Sequence, residues 1–117
     1  MGSWGRQPVE GAELDAATTW EGETAWVRVD GELDAFTAPV LRTELEAVEA
    51  ADPGRVVLDL SRVRFLDSSG LAVILGLREK AMDGGGWELE LIIAGSGAVE
   101  DTFAAIEADS LFSLVRP

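Results

Sequence analysis

Arg55-Val56-Val57-Leu58-Asp59-Leu60, followed by Val63-Arg64-Phe65-Leu66-Asp67-Ser68-Ser69-Gly70-Leu71, turns from a strand into a helix. The first part is short, β-branched and apolar on nearly every side. That composition suits a central strand, and a parallel one is compatible with it. Asp67-Ser68-Ser69-Gly70 then opens a helix, with Asp67 or Ser68 able to cap its free N–H groups. The helix runs to about Asp83, and Gly84-Gly85-Gly86 stops it. Leu71-Ala72-Val73-Ile74-Leu75-Gly76-Leu77 is apolar around its whole circumference, whereas a surface helix shows only a stripe. Either these turns are buried on both sides, or they leave an apolar patch beside the serines.

Upstream, Thr24–Asp30 alternates, with Ala25, Val27 and Val29 on one face and Trp26 and Arg28 on the other. This is a period-2 strand, and the turn at Glu21-Gly22-Glu23 pairs it with a strand near Ala12–Thr19. Gly31-Glu32-Leu33-Asp34 leaves the hairpin. Thr37 can cap a helix with Pro39 in its first turn, and Val40, Leu41, Leu45 and Val48 keep helical spacing to about Ala50. Asp52-Pro53-Gly54 breaks that helix. Downstream, Trp87–Ile93 reads as a strand, Ala98–Ala108 as a short helix and Ser113–Arg116 as a brief last strand. The order β-β-α-β-α-β-α-β predicts a single α/β domain over residues 12–117, a small mixed sheet with helices packed on it. Residues 1–11, with Gly2, Ser3, Gly5, Pro8 and Gly11, read as a flexible leader.

Composition narrows the chemistry. The chain has 117 residues, 47% of them apolar, enough for one core. It has neither cysteine nor histidine. Thiolate metal sites, thiol catalysis and histidine-dependent triads are therefore excluded. Glu88 and Glu90 alternate on a strand and read as a solvated face, so no metal site or cofactor is expected. The net charge of −13 is spread along the chain. Such a surface repels nucleic acid and anionic membranes and attracts a partner with a basic patch. Ordinary solubility explains the same charge. With no long apolar run or secretory signal, a cytoplasmic location is expected.

The chemistry then centres on two hydroxyls at a helix start. That position carries unpaired N–H groups and partial positive charge, and a phosphate placed there finds donors. The same residues are also an ordinary helix cap. A serine nucleophile has no histidine to activate it, and Lys80, the only lysine, lies about three turns along the helix. Gly70 has no side chain and would let another surface approach the hydroxyls. Arg62 and Arg64 read as solvated strand-edge residues.

Two motifs resemble the anti-anti-sigma factors, or anti-sigma factor antagonists, of the STAS-domain family. One is Gly31-Glu32-Leu33-Asp34-Ala35-Phe36-Thr37-Ala38. The other is Val56-Val57-Leu58-Asp59-Leu60 with Phe65-Leu66-Asp67-Ser68-Ser69-Gly70-Leu71, continued by Val73-Ile74-Leu75-Gly76. The resemblance spans roughly residues 12–116 and implies a small sheet with helices mainly on one face. It implies a non-catalytic protein that binds an anti-sigma factor serine kinase and so releases a sigma factor. It also implies inactivation by phosphorylation of Ser68, reversed by a metal-dependent serine phosphatase. Asp34, Asp67, Ser68, Ser69, Gly70 and Leu71 fall on the partner-binding positions, with Ser69 beside the acceptor. The resemblance also implies a final helix after the last strand, which is not expected before Pro117, and residues 1–11 read as a longer leader than the family pattern implies. Other STAS proteins resemble this chain yet serve as adaptor subunits of lipid-transport ATPases or stress-sensing complexes.

Overall fold

The computed structural model describes residues 13–105 and 113–115. Strands β1 (Leu14–Glu21) and β2 (Thr24–Leu33) form an antiparallel hairpin. Helix α1 (Ala38–Ala50), strand β3 (Arg55–Leu66), helix α2 (Ser68–Lys80), strand β4 (Glu88–Ile92), helix α3 (Gly97–Ala105) and strand β5 (Ser113–Val115) follow. The predicted element order is the observed one. The expected leader lies outside the described residues, as do the end of the last predicted helix and Arg116.

The sheet has five strands in chain order, and every pair after the hairpin is parallel. Each crossover therefore steps one strand in the same direction. A common right-handed connection places α1, α2 and α3 on one face. The core shows this directly. Ala25, Val27 and Val29 of β2 and Val56, Leu58 and Leu60 of β3 join Leu41, Leu45, Val73, Ile74, Val99 and Phe103 in one cluster. Val57 is buried but stands outside that cluster, on the opposite face. There, Arg55 pairs with Glu90 across β3 and β4, with Arg55 Nε donating to Glu90 Oε2 at 3.1 Å. That hydrogen bond, above all, raises the Arg55 pKa.

Strand β3 runs six residues past the predicted Leu60, to Leu66. The polar Ser61-Arg62 pair ends the apolar run but not the pairing. Two register shifts against β2 absorb the extra residues, one between Arg28/Asp30 and one between Gly31/Glu32. The first sits where Asp59 Oδ1 accepts from the Ser61 N–H at 3.0 Å and its hydroxyl at 2.7 Å. Such bulges bend a strand and re-aim its side chains. Gly31 accommodates the same bend from β2. Its φ is +131°, and an added Cβ would lie 2.3 Å from the Glu13 carbonyl oxygen.

Helix α2 resolves the two readings of its apolar run. Val73, Ile74 and Leu77 are buried, Leu71 and Leu75 are half-buried, and Ala72 is exposed. The helix packs one side on the sheet and the flank of another on α1, where Lys80 Nζ lies 3.2 Å from Glu49 Oε1. It ends at Lys80, and a π-helical turn, Ala81–Gly85, replaces the expected last α-turn. The left-handed Gly86, at φ +72°, closes it, within the predicted glycine stop.

Candidate functional site: the helix starts above β2 and β3

Because β2, β3 and β4 are parallel, the three helices all begin at one end of the sheet. In open α/β sheets, that end is the usual location of binding sites. Each helix start is held by a different polar side chain. Asp67 is extended, and its Oδ1 accepts from Ser69 N at 2.9 Å and Gly70 N at 3.1 Å. Its own carbonyl accepts from Leu71 N at 2.9 Å. Asp34 does the equivalent at α1, where its Oδ1 accepts from Phe36 N at 2.9 Å and Thr37 N at 3.0 Å. At α3, the buried Ser96 hydroxyl donates to Val63 O at 2.6 Å and accepts from Val99 N at 3.1 Å.

Thr37 therefore does not cap α1, contrary to the sequence expectation. Its hydroxyl turns back into the loop, donating to Glu32 O at 2.6 Å and accepting from Asp34 N at 2.9 Å. Asp34 provides the cap because the chain already turns helically from its position, with Ala38 N donating to Asp34 O at 2.8 Å.

The Asp34 and Asp67 segments form one corner. The Asp67 N–H donates to Leu33 O at 3.2 Å, which sets the start of α2 beside the residue before Asp34. Gly70 is buried against the same spot. A Cβ there would meet Leu33 Cγ at 2.6 Å, Leu33 O at 2.8 Å and Leu66 Cδ1 at 2.8 Å. The surface that the missing side chain admits is thus the protein's own β2, in place of the expected visitor.

Ser68 is exposed, and its hydroxyl makes no hydrogen bond among the described residues. Ser69 and Leu71 are half-buried. The expectation that free amide donors await a phosphate here is met only by the Ser68 N–H, which has no acceptor among the described residues, since Asp67 takes the N–H groups of Ser69 and Gly70. Arg64 pairs with Asp30 at 3.2 Å, both largely exposed, in keeping with a strand-edge role. Among the described residues, no cluster of acids is arranged to hold a metal ion. No helix of the described chain is long and apolar enough to cross a membrane.

Two side chains at this end gave no functional signal in the sequence. Phe36 is 68% exposed and Phe65 47% exposed. Phe36 occupies the turn that Asp34 caps. Phe65 pairs with Glu32 near the end of β3, next to the second register shift. Strand alternation interrupted by a bulge hides the direction of Phe65, and a residue in a turn has no period to read.

A family model described as "Mlab, STAS domain" matches residues 16–116, nearly all of the domain just described. The chain belongs to the STAS-domain family, and the relatives it matches are anti-sigma factor antagonists. It is 42% identical over 64 residues to the anti-sigma F factor antagonist of Paenibacillus polymyxa, covering 54% of each chain. It is 39% identical over 56 residues to the anti-sigma-F factor antagonist RsfB of Mycobacterium tuberculosis strain H37Rv, covering 48% of this chain and 46% of the relative. These matches span about half the length of the curated relatives. The crystal structure of an anti-sigma factor antagonist from Mycobacterium paratuberculosis superposes with a TM-score of 0.80. It has 30% identity over 90% of this chain and 87% of that one.

Proposed function

We propose that this protein is a cytoplasmic, non-catalytic anti-sigma factor antagonist whose docking is controlled at Ser68. In the unmodified state it binds an anti-sigma factor that is also a serine kinase, and a sigma factor is thereby released. The docking surface is the corner carrying Asp34, Asp67, Ser68, Ser69 and Leu71, with Phe36 and Phe65 as its apolar contacts. Gly70 serves that corner from inside, as the spacer that seats α2 on Leu33.

The observation that carries this reading is the setting of Ser68. Ser68 is exposed, its hydroxyl makes no hydrogen bond among the described residues, and it is the first residue of a rigidly capped helix. A kinase can reach it without unfolding anything, and a phosphate there projects outward. Phosphorylation adds about −1.5 to −2 charges. Placed in a close interface beside Asp67, that charge brings repulsion and desolvation worth several kcal/mol. Each ~1.4 kcal/mol lowers affinity about tenfold, so one phosphate dissociates a moderately tight complex. A metal-dependent serine phosphatase restores the docking form.

The test is incubation with the cognate kinase and ATP, followed by mass spectrometry. One phosphate on Ser68 is expected, and Ser68→Ala is expected to remain unmodified and bound. Stoichiometric phosphorylation of Ser68→Ala would move the site to Ser69 or another hydroxyl. The exposed Phe36 and Phe65 also favour a second reading, an adaptor subunit of a lipid-transport ATPase or stress-sensing complex. That reading requires a stable complex whose affinity ignores the state of Ser68.

A further inference from the structure

We propose that Asp67 is a positioning residue that keeps a phosphate on Ser68 off the start of α2 and out in solvent. This rests on the reading of Ser68 as the acceptor. A helix start ordinarily welcomes an anion, through its free N–H groups and its positive end. Here an anion is already installed. The Asp67 carboxylate holds Ser69 N and Gly70 N, and the Asp67 carbonyl holds Leu71 N. The corner cannot readily shift to offer others, because Gly70 is wedged on Leu33 and Asp67 N is tied to Leu33 O.

The neighbouring helix start offers no relief. Asp34 occupies Phe36 N and Thr37 N in the same way. Around the corner, the acids are Asp67, Asp34 and the half-buried Glu32. The cations on the end of β3 are Arg62 and Arg64, both exposed, and Arg64 is engaged by Asp30. Of the first-turn amides, only the Ser68 N–H has no acceptor among the described residues. To gain more than that one donor, a phosphate on Ser68 must evict Asp67 from its two amides, and otherwise it stands beside the carboxylate. The intact cap selects the second arrangement. The phosphate then keeps its full repulsive effect on a partner and stays open to a phosphatase. The same cap restrains Ser69 through its N–H and leaves Ser68 as the outward hydroxyl.

The experiment uses the full chain with phosphoserine installed at position 68 during translation, so no kinase is involved. The phosphate is titrated by phosphorus NMR, and the Ser69 and Gly70 amides are followed by nitrogen-correlated spectra. In the native background, the second phosphate ionisation is expected at or above its value in the urea-denatured chain, about 6. Asp67→Asn keeps an acceptor but removes the charge, and should lower it. Asp67→Ala also frees the amides, and should lower it by roughly a few tenths of a unit more, the size a helix terminus confers. Only in Asp67→Ala should the two amides titrate with the phosphate. An ionisation already below the denatured value in the native background would overturn the proposal, as would equal values in all three proteins. Should Asp67→Ala not fold, native against Asp67→Asn decides alone. A failed kinase assay would remove Ser68 as the physiological acceptor and leave this result standing.

Discussion

Gly70 presses its Cα face against Leu33, so close that a single methyl group would strike both the Leu33 side chain and its carbonyl oxygen. With the hydrogen bond from Asp67 N to Leu33 O, this contact clamps the start of α2 to the end of β2. Two motifs distant in the chain thereby become one rigid corner, which holds Ser68 outward on a fixed platform.

Gly70→Ala weighs that contact against helix propensity. In an exposed helix, alanine would be favoured by about 1 kcal/mol. Here the Cβ would lie 2.8 Å from a backbone oxygen that cannot rotate away. Overpacking of this kind costs about 1–3 kcal/mol. The substitution is expected to lower the melting temperature by several degrees, as followed by circular dichroism. A rise would show that the corner yields easily.

Asp34→Ala removes the acceptor for Phe36 N and Thr37 N. Loss of such a cap costs about 0.5–2 kcal/mol, so a lower denaturation midpoint is expected. Weaker kinase recognition should accompany that loss, because the Asp34 cap also aims Phe36. Asp34→Asn, which can still accept, should recover most of the midpoint.

Phe36→Ala separates binding from folding. The side chain is 68% exposed, so stability should change by no more than about 0.5 kcal/mol. As an aromatic anchor in the proposed interface, it should cost about tenfold or more in partner affinity by calorimetry. Unchanged affinity would place the interface elsewhere.

Ser96 and Ser68 both stand at helix starts, and their alanine variants should behave oppositely in chemical denaturation. Ser96→Ala strands a buried carbonyl at Val63 and a buried amide at Val99, a loss of about 1–3 kcal/mol. Ser68→Ala removes, from an exposed residue, a hydroxyl that makes no hydrogen bond among the described residues, and should stay within about 0.5 kcal/mol of the parent.

Much of the fold is legible locally. Alternation in Thr24–Asp30 and helical spacing from Val40 to Val48 each report a period that only one backbone geometry satisfies, while the short run Val56–Leu60 reads as a buried strand from its length and β-branched composition. Pro39 and Gly86 mark boundaries because their own φ preferences act wherever they stand. Asp67 before an apolar helix reads as a cap for the same local reason. Boundaries slip where pairing outruns composition, as in β3 beyond Leu60.

The functional directions are not local. Whether Thr37 or Asp34 caps α1 depends on where the Glu32 carbonyl points as β2 ends. Whether Gly70 admits a partner or its own chain depends on Leu33, and the outward turn of Phe65 depends on the register of β3 against β2. Periodicity and turn chemistry reveal which residues can serve at a helix mouth, since those preferences reside in each residue and its near neighbours. Which donors are already spent, and which hydroxyl is left facing water, follows only when β2 and β3 lie side by side and bring distant atoms into contact.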